Sequence, residues 1–239
     1  MLRDYVTKRD PEISAITLNL DPGVKVMPYT PDIDIRDFLV LEEVMTEYGL
    51  GPNGAMILAS DLMVNFLDDL KYEIDEYNPD WVFVDTAGQL ELFAFRDTGP
   101  LIASSLGFGS IQRAVSFLFD SNLVLRPNGF ISTLLLAASV QFRFRDIPQI
   151  NVLSKADLLS EDQIEMVVNW SQDFKALEDS TNERESGLIR ELSMLISEVF
   201  IQLGSTSELI SCSIKEDQGL DYLFGYLQRI FDSDKSKFY

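Results

Sequence analysis

The hydrophobic pattern of this chain alternates short apolar runs with longer amphipathic stretches, punctuated by glycine, proline and aspartate. Apolar runs bounded by turn residues read as strands buried on both faces. Apolar positions recurring every three to four residues read as the helices that cover them. Ala15 to Asp21, Trp81 to Asp85, Ala114 to Asp120, Ile150 to Leu153 and Leu209 to Cys212 are the strand candidates. Residues 2–9 read as the tail of a helix ending before Pro11, and Asp34 is predicted to cap a helix carrying Ile35, Phe38, Leu39 and Met45. Gly49 to Gly54 interrupts the pattern; Leu62, Met63, Phe66, Leu67, Leu70 and Ile74 then mark a long amphipathic helix. Further helices are predicted from Leu90 to Phe95, to about Leu106 after a break at Gly99-Pro100, and from Phe130 to Phe142. Others follow over 161–178, 183–203 and Leu220 to Phe231, with the end from Asp232 to Lys237 frayed. Ser160 and Gln163 form a capping box at the start of the 161–178 stretch.

Strands alternating with helices predict an α/β fold, a parallel sheet with helices on both faces. The length suits a single domain over 1–239, with 161–206 as a helical insertion. Composition narrows the chemistry more than the fold. The chain has 39 acidic against 19 basic residues, which argues against a nucleic-acid surface. It has no histidine, which excludes His-based nucleophilic triads and zinc sites. The one cysteine, Cys212, sits among apolar neighbours and has no internal disulfide partner, which suits a reducing, cytoplasmic setting. No apolar run reaches the ~20 residues that span a bilayer, so no membrane role is expected.

The strand ends carry the chemistry. Trp81-Val82-Phe83-Val84 runs into Asp85-Thr86-Ala87-Gly88-Gln89, and the Ala15 and Ala114 strands also close on carboxylates, Asp21 and Asp120. Ligands of open α/β sheets bind beyond the carboxyl ends of the strands. A carboxylate there suits Mg²⁺ held through water, and a glycine N–H there can face a phosphate. Each piece also has a plainer reading. Asp85 can cap the next helix, Gly51-Pro52-Asn53-Gly54 can be a β-turn, Ser154 to Asp157 a connecting loop, and Gln89 a surface amide.

Taken together, Asp85-Thr86-Ala87-Gly88-Gln89 resembles the DxxG switch of GTPases, and Ser154-Lys155-Ala156-Asp157 resembles their guanine-reading N/T-K-x-D. Gly51-Pro52-Asn53 is similar to the signature of the GPN-loop GTPases, and the likeness runs from about residue 15 to 159, resuming weakly at Ser213-Ile214-Lys215. The resemblance implies a three-layer P-loop NTPase-like fold and a homodimeric GTP hydrolase that yields GDP and phosphate, with each Gly-Pro-Asn loop reaching into the partner's site. Asn53 would donate to the terminal phosphate and help place the attacking water, with Gln89, Asp21 and the Gly88 N–H nearby. Asp21 and Asp85 would hold Mg²⁺ through its water shell. Asp157 would accept from guanine N1 and N2, the Lys155 stem would lie along the base, and Ser213 and Lys215 would match the loop that touches O6. The state of the nucleotide would be read by protein partners that the sequence does not identify.

The chain departs from the family in two places. It contains no Gly-Lys pair, so the family's first strand and its G-x-x-x-x-G-K-[ST] loop are expected to be missing, with Met1 standing inside a longer gene. At ~1.5–3 kcal/mol per charge-assisted bond, losing such a cradle forfeits about 6 kcal/mol or more. The chain as numbered is therefore expected to bind GTP poorly. Ser154 also replaces the usual Asn or Thr, which leaves guanine preference resting on Asp157. The competing readings are a non-catalytic interaction module that keeps the fold, and a metal-dependent phosphatase or receiver-like domain using the same acidic edge.

Overall fold

The computed structural model describes residues 2–106, 111–202 and 208–235. They group into two compact units, Met1–Ile111 and Gln112–Tyr239.

The first unit contains α1 (Leu2–Arg9), β1 (Ala15–Leu20), β2 (Ile33–Asp34), α2 (Leu41–Tyr48), α3 (Pro52–Leu62), α4 (Leu67–Tyr77), β3 (Trp81–Thr86), α5 (Leu90–Phe93) and α6 (Thr98–Ser105). Its strands are parallel in the order β2-β1-β3. Ala15 lies opposite Trp81 and Leu20 opposite Thr86, so β1 and β3 reach their carboxyl ends together. β1 is central and its residues from Ile16 to Leu20 are buried, as a strand covered on both faces requires. Leu18, Ile35 and Leu70 are fully buried beside Ala55 and Ala59 of α3. Truncating either leucine to alanine would cost about 2–5 kcal/mol. α1 is tied to the sheet through Arg3, which pairs with Asp32 at 3.1 Å, while Asp32 accepts from the backbone and the hydroxyl of Thr17 at 2.8 Å each.

The second unit contains β4 (Val115–Asp120), α7 (Pro127–Arg143), β5 (Gln149–Ser154), α8 (Glu161–Gln172), α9 (Phe174–Arg184), α10 (Gly187–Gln202), β6 (Leu209–Ser211) and α11 (Leu220–Lys235). The strands are again parallel, in the order β4-β5-β6, with Asp120 opposite Ser154 and Leu153 opposite Ser211. A chain of rings, Phe119 on Phe130 at 6.0 Å and Phe130 on Trp170 at 5.8 Å, ties β4 to α7 and α8. The capping box of Ser160 and Gln163 opens α8 as expected.

The parallel α/β architecture agrees with the hydrophobic pattern, and the differences are local. Gly51-Pro52-Asn53 does not lie in a free turn. Gly51 caps α3 and Pro52 is its first residue, a position where the missing N–H costs nothing. The expected helix from Asp34 is instead the short strand β2, a single 3-10 turn over Ile35–Asp37, and α2. The long helix before β3 divides at a 3-10 turn over Met63–Phe66. Gly99-Pro100 does not break a helix but forms the first turn of α6. There a Cβ on Gly99 would stand 1.7 Å from the Phe93 carbonyl oxygen, so only glycine fits. The 161–178 stretch is divided by Asp173, and the next helix spans 187–202; residues 203–206 of the expected insertion lie outside the described residues. The terminal helix continues through Lys235, and the expected fraying at 236–237 also falls outside them.

Candidate functional site

In the first unit the relevant side chains gather where β1, β2 and β3 end. Asn19, buried near the end of β1, donates to Asp34 Oδ1 at 2.9 Å and to the Asp21 carbonyl at 3.2 Å, and its own oxygen accepts from the Asp21 N–H at 3.0 Å. That amide fixes the path of the chain as it leaves the strand. Asp21 Oδ1 then accepts the Gly23 N–H at 2.9 Å, which closes a tight turn. Asp34 is gripped by Arg36, with Nε 3.0 Å from both oxygens and a terminal nitrogen 2.5 Å from Oδ2. Burial works against its charged form, but the Arg36 contacts outweigh it and hold the carboxyl below the usual carboxylate range.

Asp85, the fifth residue of β3, lies opposite Asn19 and is exposed. Its Oδ2 accepts the Tyr29 hydroxyl at 2.8 Å. Burial, then that hydrogen bond to Asp85, push the Tyr29 phenol well above its ordinary value, so it stays a neutral donor. Gly88 and Gln89 follow in an exposed bend, and Gln89 caps α5 through its backbone rather than its amide. Gly51, Pro52 and Asn53 are exposed at the start of α3.

Asp21, directly after β1, and Asp85, near the end of β3, therefore stand at the carboxyl ends of neighbouring parallel strands, each with one oxygen in a hydrogen bond. Hard oxygen donors of this kind fit Mg²⁺, which keeps much of its water shell. Among the described residues no group of three or more potential ligands surrounds a common point.

In the second unit β5 delivers Ser154, Lys155, Ala156 and Asp157 in sequence. Ser154 anchors to the Phe119 carbonyl at 3.0 Å. Lys155 adopts a left-handed conformation, φ 56 and ψ 44, and its ammonium lies 3.6 Å from Asp120. The hydroxyl of Ser121, fully buried, donates to the Ser154 and Lys155 carbonyls, the latter at 2.9 Å. A backbone bond from Ala156 to the Cys212 carbonyl, 3.0 Å, joins this loop to the one after β6.

Asp157 is the best-held carboxylate of the group, with 9% of its side chain exposed. Ser213 donates to its Oδ1 at 2.6 Å, and Lys215 Nζ stands 4.0 Å from Oδ2. Ser213 is itself fully buried, accepts the Glu216 N–H at 3.2 Å and exchanges backbone bonds with Gln218. Gly219 completes this turn at φ +71, where a Cβ would stand 1.9 Å from the Ser211 carbonyl oxygen. Cys212 lies beneath it, with its thiol 3.4 Å from the Gly219 carbonyl and pushed up to about 11 by burial, and further by Asp221.

The structure thus groups Asp21 and Asp85 in the first unit, and Ser154, Lys155, Asp157, Ser213 and Lys215 in the second. Nothing in the sequence points to Tyr29, which contacts a carboxylate far along the chain. Ser121 left a faint one, as a polar residue directly after a strand-ending aspartate. The hydroxyl of Ser213, expected at the base, is committed to Asp157.

The family model described as "Conserved hypothetical ATP binding protein" matches residues 5–233. GPN-loop GTPase 1 of Dictyostelium discoideum is 29% identical over 218 residues, which cover 89% of this chain and 53% of that protein. The chain therefore spans about half the length of that relative. GPN-loop GTPase PAB0955 of Pyrococcus abyssi is 35% identical over 162 residues, 67% of this chain and 63% of that protein. The crystal structure of PAB0955, titled a GTPase in apo form, superposes with a TM-score of 0.80 at 25% identity, covering 96% of this chain and 90% of that one.

Proposed function

Since the chain belongs to the conserved hypothetical ATP binding protein family, among relatives that are GPN-loop GTPases, we propose that it handles guanosine rather than adenosine triphosphate and cleaves it to GDP and phosphate. The observation that carries the choice of base is the Asp157 carboxylate, sheltered and oriented by Ser213 at 2.6 Å. Guanine offers adjacent N1–H and N2–H donors to such a carboxylate. Adenine has no matching pair, and would leave a desolvated charge unpaired. One oxygen still has a lone pair beyond the Ser213 bond, and the other faces Lys215 at 4.0 Å, so both can accept. The Lys155 stem, leaving a left-handed backbone, would lie along the base.

Asp21 and Asp85 would hold Mg²⁺ through water, and the cation would offset charge on the phosphates. Gln89 and the Gly88 N–H, in their exposed bend, are free to approach the terminal phosphate or the attacking water. Asn53 at the exposed opening of α3 would serve a second copy of the chain as an uncharged donor, making the working form a homodimer and the product a conformational state that partner proteins read. A cytoplasmic setting belongs to the same reading; among the described residues no helix is long and apolar enough to cross a membrane.

The 239 residues contain no Gly-Lys pair, so a glycine-rich phosphate cradle is not among what they supply. Among the described residues β3 pairs on one side only, and its exposed apolar Val84, at 43%, is unlike the residues of a protected edge strand. An added strand bearing such a cradle would pair there. Without one, the reading as a non-catalytic module gains weight, and nucleotide affinity should be weak.

The test is a competition between GTP and xanthosine triphosphate for the chain and its Asp157→Asn variant, followed by isothermal titration at high nucleotide concentration. The variant is expected to shift preference toward the xanthosine nucleotide by about tenfold or more. Unchanged selectivity would overturn the assignment to guanine, and tight GTP binding by the 239-residue chain would overturn the account of the phosphate cradle.

A further inference from the structure

α10 is turned the opposite way from most surface helices. Its buried face consists of Ser193, Ser197 and Phe200, with Phe200 stacked on Phe174 of α9 at 6.0 Å and the Ser197 hydroxyl bonded back to the Ser193 carbonyl at 2.9 Å. Its apolar stripe, Leu188, Leu192, Leu195 and Val199, faces outward, with exposures between 54 and 78%. A surface helix normally points such a stripe at the core. The spacing of four, three and four residues is the seam of a two-helix contact, since it keeps successive side chains on one line when helices cross at a shallow angle. Exposing a continuous apolar line of this kind is a mark of an interaction surface.

The charge beside the stripe narrows the occupant. Glu191 and Glu198 lie along one edge, at the positions that set partner choice in helix pairs. An antiparallel second copy would bring these glutamates against their own counterparts, in a chain that already carries a net charge of −20. We propose that the outward face of α10 docks an amphipathic helix of a partner protein with a basic edge, its apolar side chains set between Leu188 and Val199 and its lysines or arginines facing Glu191 and Glu198. Interfaces of this helix-on-helix kind draw affinity from the apolar line and specificity from the flanking charges.

The probe is a fluorescein-labelled synthetic helix about three heptads long. It carries leucine along one seam and lysine at the flanks, and a matched peptide carries glutamate there. Fluorescence anisotropy with the full chain should show the lysine peptide binding and the glutamate peptide at least about tenfold weaker. The double variant Leu192→Glu and Leu195→Glu, at exposed positions and checked for fold by circular dichroism, should weaken the lysine peptide about tenfold or more. Charge alone would tighten that complex, because the variant is more acidic. Glu191→Lys with Glu198→Lys should transfer preference to the glutamate peptide. Unchanged or tighter binding by the leucine variant would overturn the proposal, as would equal binding of the two peptides. Light scattering that shows a dimer lost only in the leucine variant would assign the face to a second copy instead, and would also overturn it.

Discussion

Asp157 and Asp85 are both aspartates at the carboxyl ends of parallel strands, yet their surroundings are opposites. Asp157 has 9% of its side chain exposed and rests on a serine that is itself fully buried, within a turn closed by backbone bonds. Asp85 is exposed, and its contact is with a phenol from an irregular loop. The contrast suits the two tasks proposed for them. Reading a base depends on holding donors and acceptors in place before the ligand arrives, because any loosening is subtracted from discrimination. Holding a hydrated cation depends on carboxylates that can exchange one water-borne partner for another. A rigid cage at Asp85 would hinder the turnover that the first unit is proposed to support.

The comparison can be broken most sharply at Gly219. Gly219→Ala would force a side chain into a left-handed backbone and against the Ser211 carbonyl, so the turn that seats Ser213 must shift. A loss of about 3 kcal/mol or more in urea unfolding is expected, with Asp157 no longer held. Native stability in this variant would mean that the second unit is not the stiffer one.

A smaller effect is expected from Arg36→Met, which strips the carboxyl group of Asp34 of its cation. About 1–2 kcal/mol should be lost near neutral pH, since the pair is partly exposed and screened. The sign follows from the lowered carboxyl of Asp34 in the folded protein. Its contribution is present above the unfolded value of ~3.9 and disappears as pH falls through the lower folded value. Urea midpoints of the wild type and variant should therefore differ most at neutral pH and converge in acid. A constant gap would remove Asp34 as the source.

The smallest change is expected for Tyr29→Phe, under about 1 kcal/mol, because the bond it deletes lies at an exposed carboxylate. The phenol is raised in the folded state, so its contribution is complete below the unfolded value of ~10 and drains away as pH climbs toward the folded one. A loss several times larger would show that Asp85 is locked rather than loosely held.

Much of this was legible in the sequence because burial on two faces leaves a strong trace. The runs ending at Asp21, Asp85 and Asp120 became β1, β3 and β4, and their carboxylates stand at the ends where the pattern put them. β2 was not legible, because Ile33 and Asp34 are too few to show a period. Gly51-Pro52-Asn53 was ambiguous in a specific way: the residues that favour a turn also favour a helix start, and in the fold they open α3, whose Ala55 and Ala59 are buried in the core. The roles of Ser121 and Tyr29 come from contacts made across long stretches of chain, to Ser154 and Lys155 in one case and Asp85 in the other, and local composition carries no record of those.

The placement of Cys212 has a practical corollary. It is the chain's one sulfhydryl, sheltered under the Gly219 carbonyl and reluctant to ionise. Alkylating reagents act on the thiolate of an accessible group, so labelling must wait for the Ser213–Gly219 segment to lift. The rate of label uptake is thus a built-in clock for how often the corner that seats Ser213 and Asp157 breathes, available without adding a single foreign atom beforehand.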